Sequence, residues 1–173
     1  MDTTDLASLV IRLVVGLTFA AHGAQKAFGW WGGPGMTGWR GVMERIGFRP
    51  AGLWAGVSMA TELVGGLMLA VGLLTPLAVA ALVGQSVVII IKTHLPRGFW
   101  NRDNGFEFPL ALAAGIVAIG LIGPRAFSLD AALGIVPADS LRLLAIGLGV
   151  VGGLGAIAVP ALAKPTTEEA AQH

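Results

Sequence analysis

Five side chains have chemistry at odds with the sequence around them. His22, Lys26, Glu62, His94 and Glu107 lie inside, or at the ends of, long apolar runs. Two carboxylates, two imidazoles and an amine can together hold a polar head group, stabilise a developing negative charge and pass a proton. An ionisable group deep in an apolar layer costs several kcal/mol unless it is paired or hydrated, so it faces the interior of a helix bundle.

Glu62 is the sharpest case. It sits ten residues into its run, roughly 15 Å from the basic side at the helical rise. With antiparallel helices, the matching level on the first run is near Thr18. On the same arithmetic His22 is roughly 9 Å and Lys26 roughly 3 Å from that side. Arg12, Phe19 and Lys26 are seven apart and share a helix face, with His22 close to it. Gln85 and Ser86 on the third run fall near the level of Glu62. His94 closes that run and Glu107 opens the fourth. The expected object is a polar pocket lined by His22, Lys26, His94 and Glu107, with Glu62 at its floor and Arg12 deeper still. A packing role is the competing reading, in which Glu62 pairs with Arg12 or His22 and sets helix register.

Other chemistries fit poorly. Haem would need His22 and His94 facing each other, yet their depths differ by roughly 9 Å. A metal site could draw on His22, His94, Glu62 and Glu107, and none is assigned. The chain has no cysteine, hence no disulfide, thiolate metal site or thiol chemistry of its own. The glycine-rich stretch after Phe28 lacks the Lys-Ser/Thr step of a phosphate loop.

The elements that must position these residues follow from composition. In 173 residues, 55% are hydrophobic and 12% charged, about half the charged share of a soluble domain. A net charge of +1 implies no pull on nucleic acid. Apolar runs cover 6–28, 52–74, 77–91, 106–122 and 141–159, against the roughly 17–25 residues that cross a bilayer. The third reaches that length only with its polar end in the interface, and the fourth is marginal. The fold class is all-α, a polytopic membrane four-helix bundle (1–135) with an additional C-terminal transmembrane helix (136–162). Loop 29–51 reads as a turn plus an interfacial helix carrying Trp30, Trp31 and Trp39. A disordered tail is expected over 163–173. The acidic start (Asp2, Asp5) and Arg12 argue against a cleaved signal peptide. Gly52 with Gly56, and Gly149 with Gly153, have the spacing of close helix packing.

Lys26, Arg40, Arg45, Arg49, Lys92, Arg97, Arg102 and Lys164 fall on one side of a five-span topology, and Arg125 and Arg142 on the other. This bias places the N-terminus outside and the C-terminus in the cytoplasm of a plasma-membrane protein.

In order along the chain stand Arg12, His22-Gly23-Ala24-Gln25-Lys26, Gly29 with Gly32-Gly33-Pro34-Gly35, and Glu62-Leu63-Val64-Gly65-Gly66. His94 with Gly98-Phe99-Trp100, Asn104-Gly105-Phe106-Glu107, and Gly123-Pro124 with Ser128-Leu129-Asp130 follow. This ordered set resembles the DoxX family of small membrane proteins over about 8–133. The resemblance implies a four-helix membrane bundle, with founding members similar to the small subunit of a thiosulfate:quinone oxidoreductase. It also implies that His22, Lys26, Glu62, His94 and Glu107 occupy the family's polar positions. The helix and tail from Leu141 onward depart from that pattern.

Two classes of function follow. In the first, the chain is a subunit of a quinone-dependent oxidoreductase. His22, Lys26 and Glu62 contact a quinone, Glu62 or Glu107 moves a proton, and a redox partner protein docks on the basic, cytoplasmic side. No cofactor is encoded in the chain itself. In the second, it is a non-catalytic membrane scaffold or small-solute carrier. Both leave a homo-oligomer open.

Overall fold

The computed structural model describes residues 2–162, so the expected tail lies outside the described residues. All regular structure among these residues is helical. Helices α1 (Thr3–Phe28), α3 (Ala51–Val71), α4 (Thr75–Arg97) and α7 (Asp139–Leu162) are long and apolar enough to cross a membrane. Helix α5 (Glu107–Ile122) has 16 residues, about 24 Å at the helical rise, short of the ~30 Å hydrocarbon layer. The short helices are α2 (Gly35–Arg45), in the first loop, and α6 (Leu129–Ala132), before α7. The 29–51 segment is a turn followed by an amphipathic helix. Its Trp39, Met43 and Ile46 pack on α3 while Arg40 and Arg45 are exposed.

Burial is inverted relative to a protein in water. Arg12, Ser8 and Asp130 are 0% exposed and Glu62 is 1% exposed, whereas Val14 and Leu53 are each 61% exposed. Ionisable side chains are buried beside the apolar core while many large apolar ones are exposed, the pattern of helices solvated by lipid. The chain is a membrane protein in a lipid bilayer.

Local signals set the helix ends. Asp2 accepts from the Thr4 amide at 3.1 Å while Asp5 accepts from the Asp2 amide at 2.9 Å, a reciprocal cap that starts α1. Those bonds from Thr4 hold the Asp2 carboxyl below the usual carboxylate range. The α3–α4 turn is closed from afar. Asp130 accepts from the amides of Leu74 at 2.7 Å and Thr75 at 2.9 Å, capping α4 with a carboxylate from the α5–α7 connection.

Arg12 belongs to this end of the bundle, deeper than Glu62 and on the side opposite the basic loops. It donates from Nη1 to the Ala70 carbonyl at 3.3 Å and from Nη2 to the Phe127 carbonyl. It thereby ties α1 to the end of α3 and to the loop before α6. Gly72 stands against it at φ +68°, and a Cβ there would collide with Arg12 Nη1. Only glycine meets both demands.

Glycines set the close helix contacts. A Cβ on Gly16 would lie 2.6 Å from the Gly66 carbonyl, and one on Gly66 would lie 2.6 Å from the Gly16 carbonyl. Helix α7 docks on α4 in the same way: Cβ atoms on Gly149 and Gly153 would lie 2.6 Å from the carbonyls of Ala80 and Gly84. The other expected pair behaves differently. Gly52 and Gly56 meet nothing within 4 Å, because that face of α3 points away from the bundle. Spacing reveals that a glycine pair could pack but not which way it faces.

Two outcomes follow for thermal unfolding in mild detergent. Arg12→Ala is expected to lower stability by about 2–4 kcal/mol, because the buried Ala70 carbonyl and the part-buried Phe127 carbonyl lose their donor and a void is left. Gly149→Leu should release α7, read as protease sensitivity of that helix, while Gly56→Leu should leave the unfolding midpoint within about 2 °C of the parent, as surface changes do.

Candidate functional site

Helix α1 brings Lys26 to its last turn, and α3 brings Glu62 to a π-helical turn, Thr61–Gly65. Single π turns inside longer helices are frequent at functional sites. The two helices run antiparallel with Gly23 against Leu63 and Gly16 against Ala70. The level of Glu62 on α1 is therefore next to Gly23, not Thr18. The expected level assumed that α1 and α3 begin and end together. In the structure the first turns of α3 instead pack against α2. This stagger lowers Lys26 onto Glu62.

Lys26 Nζ donates to Glu62 Oε1 at 2.5 Å, with the side chains 12% and 1% exposed. Gln85 of α4 donates to the same oxygen at 2.9 Å and to Ser58 Oγ at 2.7 Å. The Trp39 ring of α2 covers the ammonium at 4.1 Å from the ring centroid, a cation–π contact in a dry setting. Side chains from four elements thus meet at this ion pair. All the donors fall on Oε1, and Glu62 Oε2 is buried with no partner among the described residues. Trp39 Nε1 is in the same condition. A buried acceptor and a buried donor, both left over, are available to an incoming ligand or water.

The remaining candidate residues lie apart from this pair. No hydrogen bond or ion pair joins His22, His94 or Glu107 to Glu62 among the described residues. The His22 ring stands edge-on to Phe108, 6.3 Å between centroids. His94 Nδ1 meets the Asn104 carbonyl at 2.7 Å, and Glu107 accepts from the Asn101 amide at 2.9 Å. Both fold the 98–107 loop onto the ends of α4 and α5. Glu62 pairs with Lys26 and not with Arg12 or His22, the partners of the packing reading. Among the described residues no group of three His, Cys, Asp or Glu could hold a metal ion.

Two participants escaped the sequence reading. Ser58 lies one turn before Glu62 on the same face, a signal that was available. Trp39 reads as an interfacial residue, and only the fold of α2 over α1 and α3 brings it to Lys26. Beside this cluster is a cavity of about 380 Å³ between α2, α3, α4 and α7, lined at its polar end by Trp39, Ser58 and Gln85.

The DoxX family model matches residues 7–95. This chain belongs to the DoxX family. It is 32% identical over 132 residues to an uncharacterized membrane protein of Mycobacterium tuberculosis, covering 70% of this chain and 78% of the relative. No solved structure matches. The matched segment contains both Lys26 and Glu62, whereas α5, α6 and α7 lie beyond it.

Stability separates the roles of the pair. Lys26→Met leaves a buried carboxylate without its cation and is expected to cost about 3–5 kcal/mol. Glu62→Gln keeps an acceptor for Lys26 and Gln85 and should cost less. Adding Glu62→Gln to Lys26→Met should recover part of the loss, a non-additivity read from detergent unfolding curves of the four proteins.

Proposed function

We propose that this DoxX-family protein is the membrane subunit of a quinone-linked redox complex, similar in role to the small subunit of a thiosulfate:quinone oxidoreductase. The observation that carries this reading is the buried Lys26–Glu62 pair with its free carboxylate oxygen beside an uncharged cavity. Reduction of a quinone to a quinol takes two electrons and two protons. The electrons come from a donor in a partner protein, and the chain's own residues handle the protons and the charge. Glu62 passes a proton from its free oxygen, and the Lys26 ammonium stabilises negative charge gathering on a carbonyl oxygen. The unpartnered Trp39 N–H suits a quinone carbonyl, and the free carboxylate oxygen suits a quinol hydroxyl. His22, His94 and Glu107, at the basic end, are the proposed entry points for protons from the aqueous side. The partner docks there, against loops rich in Arg and Lys, on the cytoplasmic face of the plasma membrane.

The protein tagged at its C-terminus and extracted gently from native membranes should bring down a dehydrogenase together with quinone. In that complex Glu62→Gln is expected to lower quinone reduction about 100-fold or more, the range of a lost proton-transfer group, with unchanged assembly. Retained turnover would remove the proton role. A complex that assembles normally yet never reduces quinone would favour the scaffold reading, in which the Lys26–Glu62–Gln85–Ser58 chain only joins α1, α3 and α4. Flux of a solute in liposomes without any partner would favour a carrier. The orientation has its own test, since the chain lacks cysteine. A cysteine replacing Thr37 should react with a membrane-impermeant thiol reagent only after the cytoplasmic face is opened, and one replacing Phe127 should react in intact cells.

A further inference from the structure

The cavity beside the ion pair has a composition that selects its contents. Its volume, about 380 Å³, falls within the ~300–1,000 Å³ of small-molecule sites. No charged side chain lines it. Its walls are mostly apolar, with Trp54 on α3, Val88 on α4, and Leu148 and Ala156 on α7, and Thr61 and Thr93 add hydroxyls. Its polar end carries donors. Trp39 Nε1 is buried with no partner. Ser58 Oγ already accepts from Gln85, which leaves its own proton free to donate.

We propose that this cavity is a binding site for an uncharged, single-tailed amphiphile whose head group accepts hydrogen bonds. The head lies at Trp39 and Ser58, and the tail runs along α7. Ions are disfavoured because a charged head would lose water and find no countercharge. An acceptor head is favoured because Trp39 Nε1, the lining group that is buried without a partner among the described residues, can only donate. Helix α7, beyond the residues matched by the family model, supplies one wall, and its glycines create the space. The assignment goes beyond the redox reading and does not depend on it. Quinones and neutral monoacyl lipids share this chemistry. Where a quinone is the occupant, Ser58 and Gln85 form the hydrogen-bonded link between its head and Glu62 Oε1.

The full chain in lipid nanodiscs can be photolabelled with three probes of matched tail: an alkyl benzoquinone, a monoacylglycerol and a fatty acid, each with a diazirine in the tail. Labelled peptides are mapped by mass spectrometry. Labelling should concentrate at 148–156 of α7 and 80–88 of α4 for one or both neutral probes, and which of them labels identifies the source. The fatty acid at neutral pH should label there about tenfold less, a difference of about 1.4 kcal/mol. Gly152→Phe tests the cavity without endangering the fold, because a Cβ at Gly152 meets nothing within 4 Å. It should cut neutral-probe labelling about tenfold by filling the space while preserving the unfolding midpoint. Trp39→Phe keeps a ring over Lys26 and removes only the donor, with an expected loss of about fivefold. Labelling spread evenly over the lipid-facing helices, or unchanged in Gly152→Phe, would overturn the site, and equal labelling by the fatty acid would overturn its neutral character. Glu62→Gln separates the two readings. Lost turnover with normal labelling supports both, and lost turnover with labelling spread evenly overturns the site alone. Normal labelling with unchanged turnover overturns the proton role alone.

Discussion

A carboxylate carried into the hydrocarbon layer must find a cation or a proton, and in this protein the helices are arranged so that Glu62 finds Lys26. The requirement reaches well beyond the two residues. Helix α1 must continue to Phe28 so that Lys26 is still helical. Helix α3 must slide past the end of α1 so that Glu62 meets it. Gly23 must lack a side chain so that the backbones come close at that level. The surplus length of α3 is then covered by α2, whose Trp39 closes over the ammonium. Gln85 brings α4 to the same oxygen. A buried pair of this kind is weak evidence for stability, because desolvation opposes the Coulombic gain, but removing one member is severe.

The opposite end of the bundle solves the same problem with different chemistry. Arg12 is satisfied by backbone carbonyls at the end of α3 and in the loop before α6. Asp130 is satisfied by the first amides of α4. These bonds tie helix ends and loops together, while Arg12 Nε, Thr75 Oγ1 and Arg142 Nε at this end are buried without a partner among the described residues. The two polar clusters differ in their surroundings, because only the Lys26–Glu62 end borders the cavity of about 380 Å³. One locks the ends of helices together, and the other keeps an acceptor and a donor unused beside a cavity.

Helix α7 changes what that cavity can be. The glycines at 149 and 153 let it lie close against α4, and the gap beside them is left unfilled because Gly152 and Ala156 carry little or no side chain. Neighbouring small residues on one helix thus permit tight packing on one face and leave space on another. A groove with apolar walls and neutral donors, next to a buried carboxylate, brings lipid-soluble molecules and protons together.

Much of this was legible from sequence. Composition and run lengths alone determine a membrane bundle, because about 20 consecutive apolar residues have no better place than a bilayer. The residue types also single out Glu62 and Lys26, since an ionisable group inside an apolar run must be compensated. Which group compensates which was decided only by the tertiary structure. Depth counted along each helix assumes common ends, and the stagger of α3 against α1 broke that assumption, pairing Glu62 with Lys26 instead of Arg12 or His22. Spacing likewise exposed two glycine pairs of equal promise, yet only Gly149 and Gly153 face a neighbour. His94 and Glu107 looked like pocket residues and instead fold a loop, because backbone groups compete for polar side chains and sequence does not show where the backbone will be. A single sequence records how deep a residue sits and which helix face carries it. The relative shift and rotation of two helices is a property of both surfaces at once, and it is settled only when they pack.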